Sequence, residues 1–337
     1  MSKFRATIIA ITLAAMFFIP ISAIEKIPPV PEEKPVEQPK TENLSESKEE
    51  IPKEPTIEGT FRIFDLSTEK VTEVSYFDYV AGAIASEMGA DFEFDALVTQ
   101  GIAAFSCGLY QKNIHFAADY DFSAAPLQKL GYITEETAKE IYGKNFEEKW
   151  GIITSAAKKA LEYVLTFDGE PALSVYHAIS NGMTESSENA WSGAVPYLVS
   201  VKSEGDVFAE NYKTTVTVSK NDALEILNKN GAGLSGKKPE DWFSGAIFTE
   251  AGYVDRITIG AATFSGEKIR NLFGLRSSSF TVEYSGGDFI FTVLGYGHGV
   301  GLSQVGANYM AKNGADFKEI LAHYYPGTEL LDSADFK

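Results

Sequence analysis

The chain predicts an α+β fold, with helices first, short strands in the middle and helices last. Three observations carry that reading. Residues 77–88 and the stretch after Gly89 repeat apolar side chains at helical spacing. Residues 173–294 break into short β-type runs separated by turn residues. Residues 303–323 return to a helical pattern, broken at Gly314. The expected architecture is a helical segment packed with a mainly antiparallel β region and a C-terminal helix pair.

Residues 61–64, Phe-Arg-Ile-Phe, open the body as a strand. In the first helix Tyr79, Val80, Ala83, Ile84 and Met88 fall on one side, and Gly89 ends it. A second helix starts at Asp91 or Phe92 and carries Leu97, Ile102, Ala104, Phe105, Gly108 and Leu109. Residues 134–142 and 152–165 read as further helices, the first with a capping-box start at Thr134. Strands follow at 173–179, 197–202, 214–218 and 252–259, interrupted by a short helix at 222–228. Residues 279–284 and 288–294 flank Gly286-Gly287, a hairpin signal. Helices at 303–313 and 316–323 close the body.

The 337 residues suffice for one large domain or two modest ones. Residues 1–23 hold Lys3, Arg5, an apolar run and a small-residue end, Ile21-Ser22-Ala23, which marks a signal peptide or a membrane anchor. Either form puts the body outside the cytoplasm, on the membrane by one N-terminal helix or secreted after cleavage. Residues 24–58 are rich in Pro, Glu, Lys and Ser and poor in aromatics, a disordered linker with polyproline character. The domain spans 59–332, with a β-rich subregion at about 205–295. A net charge of -18 argues against a nucleic-acid or anionic-lipid binder, since both reward clustered cations. The lone Cys107 rules out an internal disulfide and a thiolate-rich metal site.

Chemistry concentrates in three places. Glu87 lies at a helix end among apolar neighbours; partial burial would raise its pKa and make it a general acid, whereas a solvated helix-end Glu would do neither. Residues 176–185, Tyr-His-Ala-Ile-Ser-Asn-Gly-Met-Thr-Glu, join a strand end to a loop of hydroxyls and amides suited to sugars. Trp191 and Pro196-Tyr197 offer stacking faces or core filling. Residues 295–304, Gly-Tyr-Gly-His-Gly-Val-Gly-Leu-Ser-Gln, form a Gly-rich elbow between strand and helix, either a ligand-gripping loop or a tight turn. A zinc set assembled from His177, Glu185, His298 and His323 lacks helical or hairpin ligand spacing.

Several separated motifs resemble, in order, the sporulation stage II protein D family, which also contains the amidase-enhancer proteins of bacterial cell walls. They are residues 79–88 ending in Glu87-Met88, then Ala96-Leu97, Gln100 and Ala103-Ala104. Residues 176–185, Trp191 and 196–198 follow, then 269–277, 295–304 and 323–327. The resemblance runs from about residue 61 to about residue 330.

It implies a peptidoglycan lytic transglycosylase that cleaves denuded glycan strands to 1,6-anhydro-muramoyl ends, in septal wall remodelling and engulfment during sporulation. Glu87 takes the position of the family's catalytic acid. Tyr176, His177, Ser180, Glu185, His298, Ser303 and Gln304 are the expected glycan-binding residues. The expected partners are glycan strands, a cell-wall amidase and sporulation membrane proteins, with no nucleic acid, and the chain is expected to be a monomer. Two departures from the family pattern stand out: Val98 and Phe105 occupy positions usually held by Lys and Arg. Residues 119–130 lack the Cys and His of some relatives' zinc site, so no metal or other cofactor is expected. The alternative is a non-catalytic glycan binder that stimulates an amidase.

Overall fold

In the computed structural model, residues 57–191 and 193–336 are described. The expected export segment, and the linker apart from its last two residues, lie outside them. A hairpin of β1 (Thr60–Asp65) and β2 (Lys70–Ser75) opens the body. Ser75 then caps α1 (Tyr76–Glu87), accepting from the Asp78 amide at 3.0 Å. The next helix, α2 (Phe94–Ile114), is buried on nearly every side, and the other elements of its half assemble around it. Its small residues allow that crowding: a Cβ on Gly101 would sit 2.7 Å from the Ala160 Cβ.

The short strand β3 (Phe122–Ala124) lies parallel to β1, and α3 (Glu135–Tyr142) and α4 (Phe146–Ala160) follow. Next come β4 (Tyr163–Phe167), β5 (Glu170–Pro171), β6 (Tyr176–His177) and the single turn α5 (Ser187–Ala190). Across this half Phe61, Ile84, Leu97, Phe105, Ile153, Tyr324 and Tyr325 are almost wholly removed from water.

A second core fills the β-rich stretch. It lies between one antiparallel sheet of β7 (Lys213–Ser219), β11 (Phe280–Ser285) and β12 (Asp288–Leu294) and another of β8 (Phe243–Phe248), β9 (Val254–Ile259) and β10 (Ala262–Ser265). The helices α6 (Lys220–Lys229) and α7 (Gly266–Phe273) pack against it. Along β12, Phe289, Phe291 and Val293 point inward at the period of two that a strand imposes. Gly286 and Gly287 both take positive φ, 64° and 99°, as a tight two-residue hairpin turn requires.

The chain then returns to the first core through β13 (Leu302–Ser303), parallel to β6, followed by α8 (Gln304–Lys312), α9 (Phe317–Tyr324) and β14 (Glu329–Asp332) against β4. The α+β class is therefore the observed one, with most sheet pairing antiparallel.

Three readings of local structure change. The helix expected at 152–165 runs from Phe146 to Ala160, and Tyr163–Phe167 is strand β4, whose aromatic and β-branched residues suit a sheet. The second helix begins at Phe94. Residues 173–179 and 197–202 carry β-type side chains yet form little ladder. Hydroxyls satisfy their backbone instead: Tyr197 Oη accepts from the Leu173 amide at 2.6 Å, and Thr184 Oγ1 from the Val201 amide at 2.8 Å.

Candidate active site

Glu87 occupies the last turn of α1. The helix ends there because Gly89 takes a φ of 77°, while the Met88 and Gly89 amides both close on the Ile84 carbonyl. Ile84 is fully buried, and Glu87 itself is half-buried. Its Oε2 accepts from Gln304 Nε2 at 3.4 Å, a long contact, and the same amide nitrogen lies 3.3 Å from Gln100 Oε1. Burial pushes the Glu87 pKa up to about 7, with the Gln304 amide pulling slightly the other way. The negative end of the α1 dipole works in the same direction as burial. A carboxyl in that position is shared between its acid and base forms at neutral pH.

Two carboxylates that follow closely in sequence, Asp91 and Asp95, are engaged elsewhere. Asp91 pairs with Lys149 at 2.8 Å, and Asp95 accepts from the Phe317 amide at 3.2 Å, at the start of α9. The phenols of Tyr79 and Tyr176 stay neutral because burial raises both, with the Glu87 charge adding to each.

Gln304 reaches Glu87 because Ser303 caps α8, accepting from the Gly306 amide at 3.3 Å. The Gly-rich loop that leads there is pinned residue by residue. Tyr296 exchanges backbone bonds with Ile179 at 2.6 and 3.0 Å, and the Gly297 amide donates to the Arg276 carbonyl at 2.9 Å. A Cβ on Gly297, whose φ is 121°, would lie 2.6 Å from the His177 Cβ, so only glycine lets the loop lie this close.

His298 is committed at both nitrogens. Nδ1 accepts from the Val300 amide at 3.1 Å, which leaves the hydrogen on Nε2 to donate to the Tyr176 carbonyl at 3.0 Å. Burial holds this ring neutral, well below the usual histidine range. Its faces meet His177 at 5.7 Å and the half-buried Trp191 at 5.6 Å. His177 donates from Nδ1 to the Val300 carbonyl at 3.1 Å, and burial pushes its pKa down to about 4. The geometry makes His298 a positioner of the loop and of Tyr176.

The structure thus brings Glu87, Tyr176, His177, His298 and Gln304 into one connected group. Ser180, Ser303 and Glu185, also expected to bind glycan, are buried, as His177 and Gln304 are. Ser180 and Ser303 are fully buried and converge on Asp206: the Ser180 amide donates to Oδ2 at 2.8 Å and Ser303 Oγ to Oδ1 at 2.7 Å. Glu185, 2% exposed, accepts from the Ser186 amide, Asn189 Nδ2 and Thr249 Oγ1 at 2.8, 2.9 and 2.5 Å. His323 stands apart, bonded to the Lys202 carbonyl at 2.7 Å. Among the described residues no group of His, Cys, Asp and Glu is arranged to hold a metal ion.

Sequence reasoning missed Asp206, which sits in a short 3-10 turn without periodicity, and nothing local announces its burial. Gln100 was more legible, as a lone amide inside an apolar helix. Val98 and Phe105 are core residues; the Phe105 ring packs edge-on against Tyr76 at 5.2 Å and Phe61 at 6.3 Å.

Residues 65–167 match the family described as Stage II sporulation protein. The chain is 33% identical to Stage II sporulation protein D of Bacillus subtilis (strain 168), covering 81% of this chain and 79% of that protein. It belongs to the stage II sporulation protein D family. The Bacillus amyloliquefaciens protein of the same name is 32% identical over the same shares. The Amidase enhancer of B. subtilis is 24% identical over 74% of this chain and 40% of its own length. Within this family member the matched stretch holds Glu87 and Gln100, while Tyr176, His298 and Gln304 come from the C-terminal remainder.

Proposed function

We propose that the chain is a peptidoglycan lytic transglycosylase working in cell-wall remodelling during sporulation. The observation that supports this most is a single half-buried carboxyl, Glu87, held by one long amide contact from Gln304, with Asp91 and Asp95 occupied elsewhere. A double-displacement glycosidase sets a second carboxylate about 5–5.5 Å away, and an inverting one about 6.5–9.5 Å away. One carboxyl suffices for an intramolecular reaction. Protonated Glu87 gives its proton to the glycosidic oxygen as the bond to C1 breaks. The resulting carboxylate then takes the proton of the muramoyl 6-hydroxyl, whose oxygen closes on C1 to form the 1,6-anhydro ring. Glu87 ends protonated, ready for another turn, and no water is consumed. Gln304 orients the carboxyl, and Tyr176, His298 and Trp191 shape the wall beside it.

The proposed site of action is outside the cytoplasm, with the N-terminal segment as an anchor or a cleaved signal. A cell-wall amidase and sporulation membrane proteins are the proposed partners. A second reading, a non-catalytic glycan binder that stimulates an amidase, draws on the similarity to an Amidase enhancer and on Val98 and Phe105. Their place in the core, away from solvent, weakens it, since apolar packing there leaves the Glu87 contact with Gln304 in place.

Purified chain incubated with denuded glycan strands should release anhydro-muramoyl ends detectable by mass spectrometry. Reducing ends carrying a hydroxyl would overturn the mechanism. Glycan binding with no turnover, together with faster hydrolysis by an added amidase, would establish the second reading.

A further inference from the structure

Four arginines lie among the described residues. Arg62 pairs with Asp121, Arg256 with Asp255 and Arg270 with Glu267. Arg276 has no carboxylate partner within the described residues, although acidic residues outnumber basic ones 47 to 29. Its guanidinium lies over the Tyr296 ring, 4.1 Å from the centroid, and its Nε is buried without a hydrogen-bond partner. Burial depresses its pKa, and only Tyr296 opposes that effect. A half-buried cation without a counter-charge is costly to maintain, and stacking leaves the edge of the guanidinium fork free for a planar anion.

The backbone around Arg276 is fixed. Leu275, Ser277, Ser278 and Ser279 are buried, Ser277 Oγ donates to the Leu294 carbonyl at 2.5 Å, and the Arg276 carbonyl accepts from Gly297. Leu294 and Gly297 bracket Tyr296, so the same bonds set the arginine and the ring that carries it. This pair begins the loop whose other end, Gln304, touches Glu87. Between them His298 bonds the carbonyl of Tyr176.

We propose that Arg276, stacked on Tyr296, is a carboxylate subsite that binds the free lactyl carboxylate of a muramoyl residue. The inference rests on the glycan reading above and names the group that reads the substrate. In a strand with stem peptides the lactyl carboxyl is tied up as an amide; in a denuded strand it is a free anion, one per disaccharide. Arg276 therefore discriminates denuded from peptide-bearing strands by charge rather than by bulk.

The test measures binding by calorimetry with the full chain carrying Glu87→Gln, so that no turnover intervenes. The probes are a denuded GlcNAc–MurNAc tetrasaccharide, the same sugar with its lactyl carboxyls amidated, a peptide-bearing tetrasaccharide, and chitotetraose, which has no lactyl group. The denuded sugar should bind about tenfold more tightly than the amidated one, the worth of one charge-assisted contact, and the gap should shrink with salt. Adding Arg276→Gln should erase that gap and leave chitotetraose affinity unchanged; Arg276→Lys should restore part of it. The amidated probe tests the unmutated arginine, so the answer survives a variant that fails to fold. A gap that persists in Arg276→Gln, or peptide-bearing sugar binding as tightly as denuded sugar, overturns the subsite. If the denuded and amidated sugars bind the Glu87→Gln chain equally well, the subsite fails and the glycan reading stands. If no sugar binds, both fall.

Discussion

Two regions of this molecule bury carboxylates, and they do so in opposite ways. In one, Asp206 and Glu185 are nearly sealed from water and their oxygens are filled by serine, threonine and asparagine donors and by backbone amides. At the end of α1, Glu87 is only half-buried, yet its single side-chain donor is a 3.4 Å amide. A buried carboxylate with its acceptor sites filled serves to hold loops together. One left short of donors keeps its proton into the neutral range, and the proton is what the proposed chemistry uses. Burial raises both Glu87 and Asp206, but hydrogen bonds from Ser180, Ser303 and Ser203 oppose it at Asp206, whereas only the Gln304 amide does so at Glu87.

The largest expected effect breaks the reactive side of that contrast. Glu87→Gln should cut release of anhydro-muramoyl ends by about 10²–10⁴-fold, the range of a lost general acid and base, while chitotetraose binding stays. It should also stabilise the fold at higher pH. The folded pKa of Glu87, about 7, lies above its ordinary 4.5. Its contribution to stability is therefore complete below 4.5 and is lost as pH rises to about 7, on the order of 3 kcal/mol. The Gln variant lacks this loss, so its melting temperature relative to the parent should climb through that window and then level off. A difference independent of pH would mean that Glu87 is solvated like any surface carboxylate.

The framework side breaks differently. Asp206→Ala strands the Ser180 amide and the Ser303 hydroxyl in a buried place, at a cost of about 2–4 kcal/mol in urea unfolding. Glu185→Ala should cost less, about 1–3 kcal/mol, because Ser186 and Asn189 lie nearer to solvent. If either variant kept full stability but lost turnover, Asp206 or Glu185 would belong to the reaction centre.

The same contrast explains what the sequence made legible. The α+β order, the helix stop at Gly89, the Gly286-Gly287 hairpin and the closing helix pair follow from periodicity and turn chemistry, which are local. So does Glu87, a carboxylate at the end of an apolar helix. Asp206 was invisible because its burial comes from the return of the chain through β13 and α8, about a hundred residues later. Residues 197–202 misled for a related reason: side chains that favour strands sit in a loop whose hydrogen bonds go to hydroxyls supplied by other segments. Ser180 and Glu185 carry the right functional groups for a sugar site, and only tertiary placement reveals how deeply they are buried.

The smallest expected effect is the sharpest test of the link between the two ends of the Gly-rich loop. Gln304→Leu removes the one side-chain donor to Glu87 and leaves Gln100 Oε1 without that partner, at about 1 kcal/mol of stability. That donor favours the carboxylate, so its loss should raise the Glu87 pKa further. Because the proposed reaction begins from the protonated form, the fall of kcat/KM at high pH should move to higher pH, with a lower plateau from a less well-oriented carboxyl. A purely structural Gln304 would lower the plateau and leave the limb where it was. The direction of that limb therefore decides whether the loop tunes the acid or only packs beside it.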